Sequence, residues 1–378
     1  MNWRIPLFKM YWDDQDVKAV TDVIRRGNYW SMGPEIKELE EKIAQYIGKK
    51  YAISCNSGTS ALHAILLAHD IGQGDEIIVP SFTFIATANT VVLTGAKPVF
   101  AEIEEQTYGL DPEDIKKKIS KRTKAIIPVH YGGAPCKNIK VLREIANDHN
   151  LLLIEDAAES LGAKLKNKMV GTFGDAAMFS FCQNKVITAG EGGIIVTDSK
   201  EIYQKIKLIR SHGRLENNEE YFSTTRELDY IQVGYNYRIS SLSAALVLSQ
   251  FEKIDKIIKM RREKAKYFNK QLSKIKKILT PIESKDIFNV YQMYTIRFED
   301  RKIREKMRQK LTKAGIMTKV YFEPIHLKTF YRKEFNYKQG NLPKTEELAE
   351  KVLTLPLYPT LTNNEMEYIT DNIKKYHR

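Results

Sequence analysis

No apolar run in the 378 residues approaches the ~18 that a membrane-spanning helix requires. Cysteine is scarce. Cys55, Cys136 and Cys182 lie far apart with no C-x-x-C pair, so neither a disulfide framework nor a zinc site is indicated. Low-complexity tracts and a repeat period are absent too. The first residues, Met1 to Phe8, lack the apolar stretch of a signal peptide, and a cytoplasmic protein is expected. What is present is 43% hydrophobic and 28% charged residues, enough for a large core divided between a larger and a smaller domain.

Net charge is +13. Nucleic-acid binding is one reading. Acidic residues interrupt most basic stretches, however, and no aromatic-basic RNA motif occurs, which favours solvated lysine-rich helices. A positive field attracting an anionic substrate such as a sugar nucleotide is a third reading.

Between about residues 15 and 200 short apolar runs alternate with helical patterns. Strands are expected at Tyr51–Ser54, Glu76–Val79, Pro98–Ala101, Ala125–Val129, Leu151–Ile154, Ala176–Phe181 and Gly193–Thr197. Helices are expected at Ile36–Ile47, Thr59–His69, Phe84–Leu93 and Val141–His149. Continuous apolar runs separated by helices predict a largely parallel sheet buried on both faces, an α/β sandwich. From Ser240 a long helix is expected to run towards Ile275. It is followed by an alternating strand at Val290–Phe298, a helix at Arg301–Ala314, a second strand at Thr318–Phe322 and a helix at Thr345–Leu353. We read residues 1–250 as a large domain with an N-terminal arm and 251–378 as a smaller α+β domain.

Lys185 carries the most chemistry. It lies five residues after Ser180 and just before the glycine-rich turn that leads into Ile194–Val196. That arrangement suits a Schiff-base lysine, with the serine on a cofactor phosphate and the glycines letting backbone pass close by. A solvated or ion-paired lysine accounts for the same segment. Asn56-Ser57-Gly58-Thr59-Ser60-Ala61 follows a strand and opens a helix, which directs free N–H groups at an anion; an ordinary N-cap is the plain alternative. Its spacing is not that of a Walker loop. Asp156 ends the most apolar strand, where a carboxylate can face a protonated ring nitrogen and raise its pKa by ~1–3 units; an N-cap is again the alternative. Phe84 ends another strand and offers a ring to stack on a flat cofactor, or serves as a core residue.

Together these segments resemble the DegT/DnrJ/StrS family of pyridoxal-phosphate-dependent nucleotide-sugar aminotransferases. The matching motifs are N-S-G-T-S-A-L (56–62), P-S-F-T-F-I-A-T-A-N (80–89), A-I-I-P-V-H-Y-G-G (125–133), I-E-D-A-A-E-S-L-G-A (154–163), G-T-F-G-D-A-A-M-F-S-F (171–181), N-K-V-I-T-A-G-E-G-G (184–193) and G-Y-N-Y-R-I-S (234–240). The resemblance implies a type I aminotransferase fold, whose large domain holds a mostly parallel seven-stranded sheet between helices. It also implies a homodimer with active sites at the interface. Lys185 would be the Schiff-base lysine and Asp156 the partner of the pyridinium nitrogen, with Phe84 stacked on the ring. Gly58, Thr59, Ser60 and Ser180 would bind the phosphate, and Asn236 would reach it from the second subunit. Glu159 stands where Gln or His often contacts the phenolic oxygen, and Cys182 where many relatives carry His or Tyr.

Relatives with His in place of the lysine are dehydratases, so Lys185 favours amino transfer. The 184–193 segment looks most like perosamine-synthase-type enzymes that aminate C4 of a 4-keto-6-deoxy sugar nucleotide, with glutamate as the expected donor. A 3-keto substrate, a dehydratase and a non-catalytic basic protein on the same fold are the alternatives. Arg214, Arg238 and His326 are candidates for the sugar nucleotide's pyrophosphate and Trp30 for the sugar pocket. Each of these also has a structural reading in the fold, the dimer or a turn.

Overall fold

A computed structural model describes residues 3–215, 224–225, 227–281 and 283–377. Its centre is a seven-stranded sheet. In spatial order the strands are Tyr51–Cys55, Gly193–Thr197, Ala176–Ser180, Leu152–Asp156, Thr123–Ile126, Glu76–Pro80 and Lys97–Ala101. Gly193–Thr197 runs antiparallel to both of its neighbours, and the remaining adjacent pairs are parallel. Cys55, Pro80, Asp156 and Ser180 therefore end at one edge of the sheet, and Gly193 begins there.

The apolar runs read as doubly buried strands because alternate side chains enter different cores. Ile53, Ile154, Met178 and Ile195 join one hydrophobic cluster with the helix Gly58–Ala68. Ala52, Ala177, Phe179, Ile194 and Val196 join a second with the helix Pro34–Ile47. Further along the sheet, Ile78, Ile126 and Leu153 pack with the helix Ile139–Asp148.

A separate antiparallel sheet comprises Ile278–Leu279, Tyr294–Phe298 and Val352–Leu355. Its cluster includes Phe268, Leu311 and Ile369 from the helices Ile254–Leu272, Arg301–Lys313 and Asn363–His377. Ile5 packs in this cluster as well and forms a parallel bridge with Ile316.

Several C-terminal elements differ from those expected. The helix expected from Ser240 towards Ile275 is two helices, Ser241–Phe251 and Ile254–Leu272. At the break the Lys253 ammonium bonds to Asp13 at 2.6 Å and Asp16 at 2.7 Å, which ties the junction to the N-terminal helix Asp14–Arg26. The helix expected to reach Leu353 stops at Lys351. Val352–Leu355 is a fully buried strand paired with Tyr294–Arg297, so tertiary pairing overrides local helical spacing. The strand expected at Thr318–Phe322 is a single bridge between Lys319 and Thr354. The strand expected from Val290 begins only at Tyr294, because Tyr291 adopts a left-handed φ of 51°.

Candidate active site

A cleft of about 1560 Å³ opens at the sheet edge where Asp156 and Ser180 end. Gly58, Thr59, Phe84, Asp156, Glu159, Ser180 and Lys185 all line it, so seven of the predicted site residues share one space.

The floor is set by the start of the helix Gly58–Ala68. Ser57 caps it by accepting from the Ser60 amide at 3.0 Å, and the Ala61 amide bonds the Ser57 carbonyl. The Gly58 and Thr59 amides, which precede the first intrahelical bond, are left for an anion. A Cβ at Gly58 would lie 3.0 Å from Ser180 Cβ and 3.1 Å from Met178 Sδ. A larger residue would close the gap between the helix start and the Ser180 hydroxyl. This cradle fits a phosphate.

Asp156 is 5% exposed. Its Oδ2 accepts from Thr87 Oγ1 at 2.7 Å and its Oδ1 from the Ala158 amide at 3.2 Å. Thr83 Oγ1 lies 3.0 Å from Thr87 Oγ1. Burial pushes the Asp156 carboxyl above its usual range, against the bonds from Thr87 and Ala158. Among the described residues no basic side chain forms an ion pair with it. A buried acid in that condition fits a cationic ring nitrogen.

The adjacent carboxylate has the opposite fate. Glu155 points to the other side of the strand, fully buried. It accepts from the amides of Gly171, Phe173 and Gly174 at 2.7–2.8 Å and lies 2.9 Å from His130 Nε2. The Cys136 amide donates to His130 Nδ1, which leaves the ring proton on Nε2, facing Glu155. Burial acts to raise Glu155, but the hydrogen bonds from His130 and the glycine amides outweigh it, and its pKa is lowered. Two neighbouring carboxylates thus divide into a structural acid and a cleft acid.

Lys185 Nζ lies 3.5 Å from Glu159 Oε1, and the Gly132 amide holds Glu159 Oε2 at 2.8 Å. Phe84 is 61% exposed, with its ring 6.3 Å from that of Phe322. A face open to the cleft suits stacking on a planar group.

The other candidates lie outside this lining. Ser60 Oγ pairs with Ser57 Oγ at 2.9 Å. Asn236 is exposed, and its carbonyl accepts from Asn56 Nδ2. The Trp30 indole donates to the Val23 carbonyl. Arg214 is buried, with a backbone bridge to Tyr230, and Arg238 is half-buried. His326 is 0% exposed, with Nδ1 2.7 Å from Ser81 Oγ and Nε2 3.0 Å from Glu346 Oε1. Both of its ring nitrogens therefore have partners within the chain.

Thr87 is not among the expected site residues, although it lies in the 80–89 motif. Nor are the cations of the outer wall: Arg301, Arg304, Arg308, Lys319 and Lys328. Arg301, Arg304 and Arg308 sit at the i, i+3, i+7 spacing of one helix face, a signal that was open to reading. Glu305, Glu323 and Glu350 are interspersed among them.

A model of the DegT/DnrJ/EryC1/StrS aminotransferase family matches residues 11–374. The chain is 35% identical to GDP-perosamine synthase of Escherichia coli O157:H7 over 99% of this chain and 98% of that protein. It is 36% identical to UDP-2-acetamido-2-deoxy-3-oxo-D-glucuronate aminotransferase of Pseudomonas aeruginosa over 93% of each. Its structure resembles Helicobacter pylori PseC, an aminotransferase involved in the biosynthesis of pseudoaminic acid, with a TM-score of 0.91, 29% identity and 98% of each chain covered.

Proposed function

Since the chain belongs to the DegT/DnrJ/EryC1/StrS aminotransferase family and is a pyridoxal-phosphate-dependent sugar aminotransferase, we propose that it moves an amino group from glutamate to C4 of an NDP-4-keto-6-deoxyhexose. The observation that carries this reading is the convergence of Lys185, Asp156 and Ser180 on one cleft whose outer wall bears five cations. The wall suits the diphosphate of a sugar nucleotide.

Bound pyridoxal phosphate supplies an electron-withdrawing ring and the carbonyl that carries the amino group. The chain's residues do the rest. The amides of Gly58 and Thr59 and the Ser180 hydroxyl hold the phosphate, with Ser60 completing the helix start. Asp156 keeps the ring nitrogen protonated through its charge. Phe84 covers one ring face, and Glu159 meets the phenolic oxygen. Lys185 Nζ takes the proton from the donor's α-carbon as general base and returns one as general acid in the second half-reaction. Asn236 reaches the phosphate of a second copy, so a homodimer with shared sites belongs to the same reading. So do a cytoplasmic location and a division into domains near residue 250.

C4 is supported by the 184–193 segment and by similarity to a protein named GDP-perosamine synthase. The Pseudomonas relative, named for a 3-oxo sugar, favours C3 as a second reading. Incubation with glutamate and either a 4-keto or a 3-keto sugar nucleotide separates them, with 2-oxoglutarate as the readout. No 2-oxoglutarate with either would refute amino transfer, and sugar dehydration without it would identify a dehydratase.

A further inference from the structure

Gln292 comes from the segment that leads into the strand Tyr294–Phe298, yet its side chain bonds beside the reactive lysine. Its Nε2 donates to the carbonyl of Asn184. That carbonyl shares a peptide plane with the Lys185 amide, which donates to the Cys182 carbonyl at 3.0 Å. The plane is therefore pinned at both ends, which fixes the direction in which Lys185 leaves the backbone.

The same segment supports the lysine's partner. The Met293 and Val290 amides bond the carbonyls of Gly132 and Gly133, each at 3.0 Å, and the Gly132 amide holds Glu159. Gly133 has a φ of +101°, and a Cβ there would lie 2.6 Å from the Gln292 nitrogen; only glycine admits so close an approach. From the far side the Arg261 guanidinium, itself buried, holds the carbonyls of Tyr291, Gln292 and Leu357 at 3.3–3.4 Å.

Gln292 is 4% exposed, and its Oε1 has no hydrogen-bond partner among the described residues. Space-filling alone would favour Met or Leu, since a half-satisfied buried amide is costly. The bond it makes to Asn184 is the reason for an amide there.

We propose that Gln292 is a positioning residue for Lys185. By holding the 184–185 peptide plane it aims Nζ, and segment 290–293 carries both members of the Lys185–Glu159 pair on one support. The proposal rests on Lys185 being the reactive lysine. It predicts that losing the Nε2 donor slows proton transfer without weakening substrate binding.

The test compares wild type with Gln292→Met, which keeps length but has no donor, and Gln292→His, whose Nε2–H has similar reach. The first readout is amide hydrogen exchange of the peptide spanning residues 182–189 in the cofactor-free protein. The second is kcat and KM for glutamate in the loaded enzyme. Gln292→Met is expected to exchange about tenfold faster there and to lose ~10-fold or more in kcat with KM within about twofold. Gln292→His is expected to behave like wild type in both. Unchanged exchange, or faster exchange with unchanged kcat, overturns the proposal. So does equal impairment of both variants with a fall in melting temperature, the pattern of a purely structural residue. Turnover retained by Lys185→Ala would instead remove the functional reading, while the exchange readout would still report whether the tether exists.

Discussion

Thr87 Oγ1 donates to Asp156 Oδ2 across 2.7 Å, and this bond orients a buried carboxylate that forms no ion pair among the described residues. The strand Leu152–Asp156 supplies the acid and the helix Ala86–Leu93 the hydroxyl, so two elements must dock before the site exists.

Asp156 sets a pH dependence. Its carboxyl is raised in the folded chain, so between its usual value and the raised one the folded state binds more protons than the unfolded. Stability of the cofactor-free protein is expected to fall as pH rises through that window. Asp156→Asn should flatten the dependence and melt at least as high as wild type at pH ~7, while kcat drops by about 100-fold or more. Thermal unfolding of the cofactor-free protein across pH, together with steady-state rates, checks both halves.

Lys185→Ala is expected to abolish turnover and the visible absorbance of the lysine-bound cofactor, with the fold intact. The side chain is only partly buried and its ion-pair partner among the described residues is Glu159, so the stability change should stay within about 1 kcal/mol. Absorbance after loading and a urea titration report the two effects.

Glu155→Gln should destabilise the fold. The carboxylate accepts three backbone amides and faces His130, whereas an amide brings N–H groups against those donors. A loss of about 3–5 kcal/mol is expected. In the wild type, Glu155's lowered pKa contributes stability above the usual glutamate value, and this is lost as pH falls through the folded one. Denaturant titrations at neutral and acid pH measure it.

Lys253→Met leaves Asp16 buried and Asp13 unpaired at the break between the two helices. Burial acts to lower the Lys253 pKa, but its bonds to the two aspartates prevail and raise it. A loss of about 3 kcal/mol is expected, with kcat unchanged per folded molecule. Circular dichroism melts and active-site titration distinguish this from a catalytic defect.

The main sheet was legible because its signal is local. Ile53 and Ala52, or Met178 and Phe179, enter different cores, and that demand writes continuous apolar runs into the chain. Asp156 lies at a strand end as expected, whereas the strand expected to reach Phe181 ends at Ser180. The second sheet was read less well. Val352–Leu355 follows a helical pattern and becomes a strand only because Tyr294–Arg297 lies beside it. The contacts that bury His326, with Ser81 245 positions away and Glu346 20 positions away, are not legible in its turn.

By itself the sequence determined the alternating strands and helices, the motifs at the strand ends and the residue types able to hold a phosphate, a ring and an amine. Period and turn chemistry act over a few residues and survive in the one-dimensional record. Only the tertiary structure decided that Glu155 is structural while Asp156 faces the cleft, that an arginine-bearing helix forms the outer wall, and that Gln292 reaches Asn184. The hydrogen bonds behind those relations join residues from 16 to 108 positions apart in the chain. No local pattern encodes them, because the free energy that fixes them is released only when the packed elements meet.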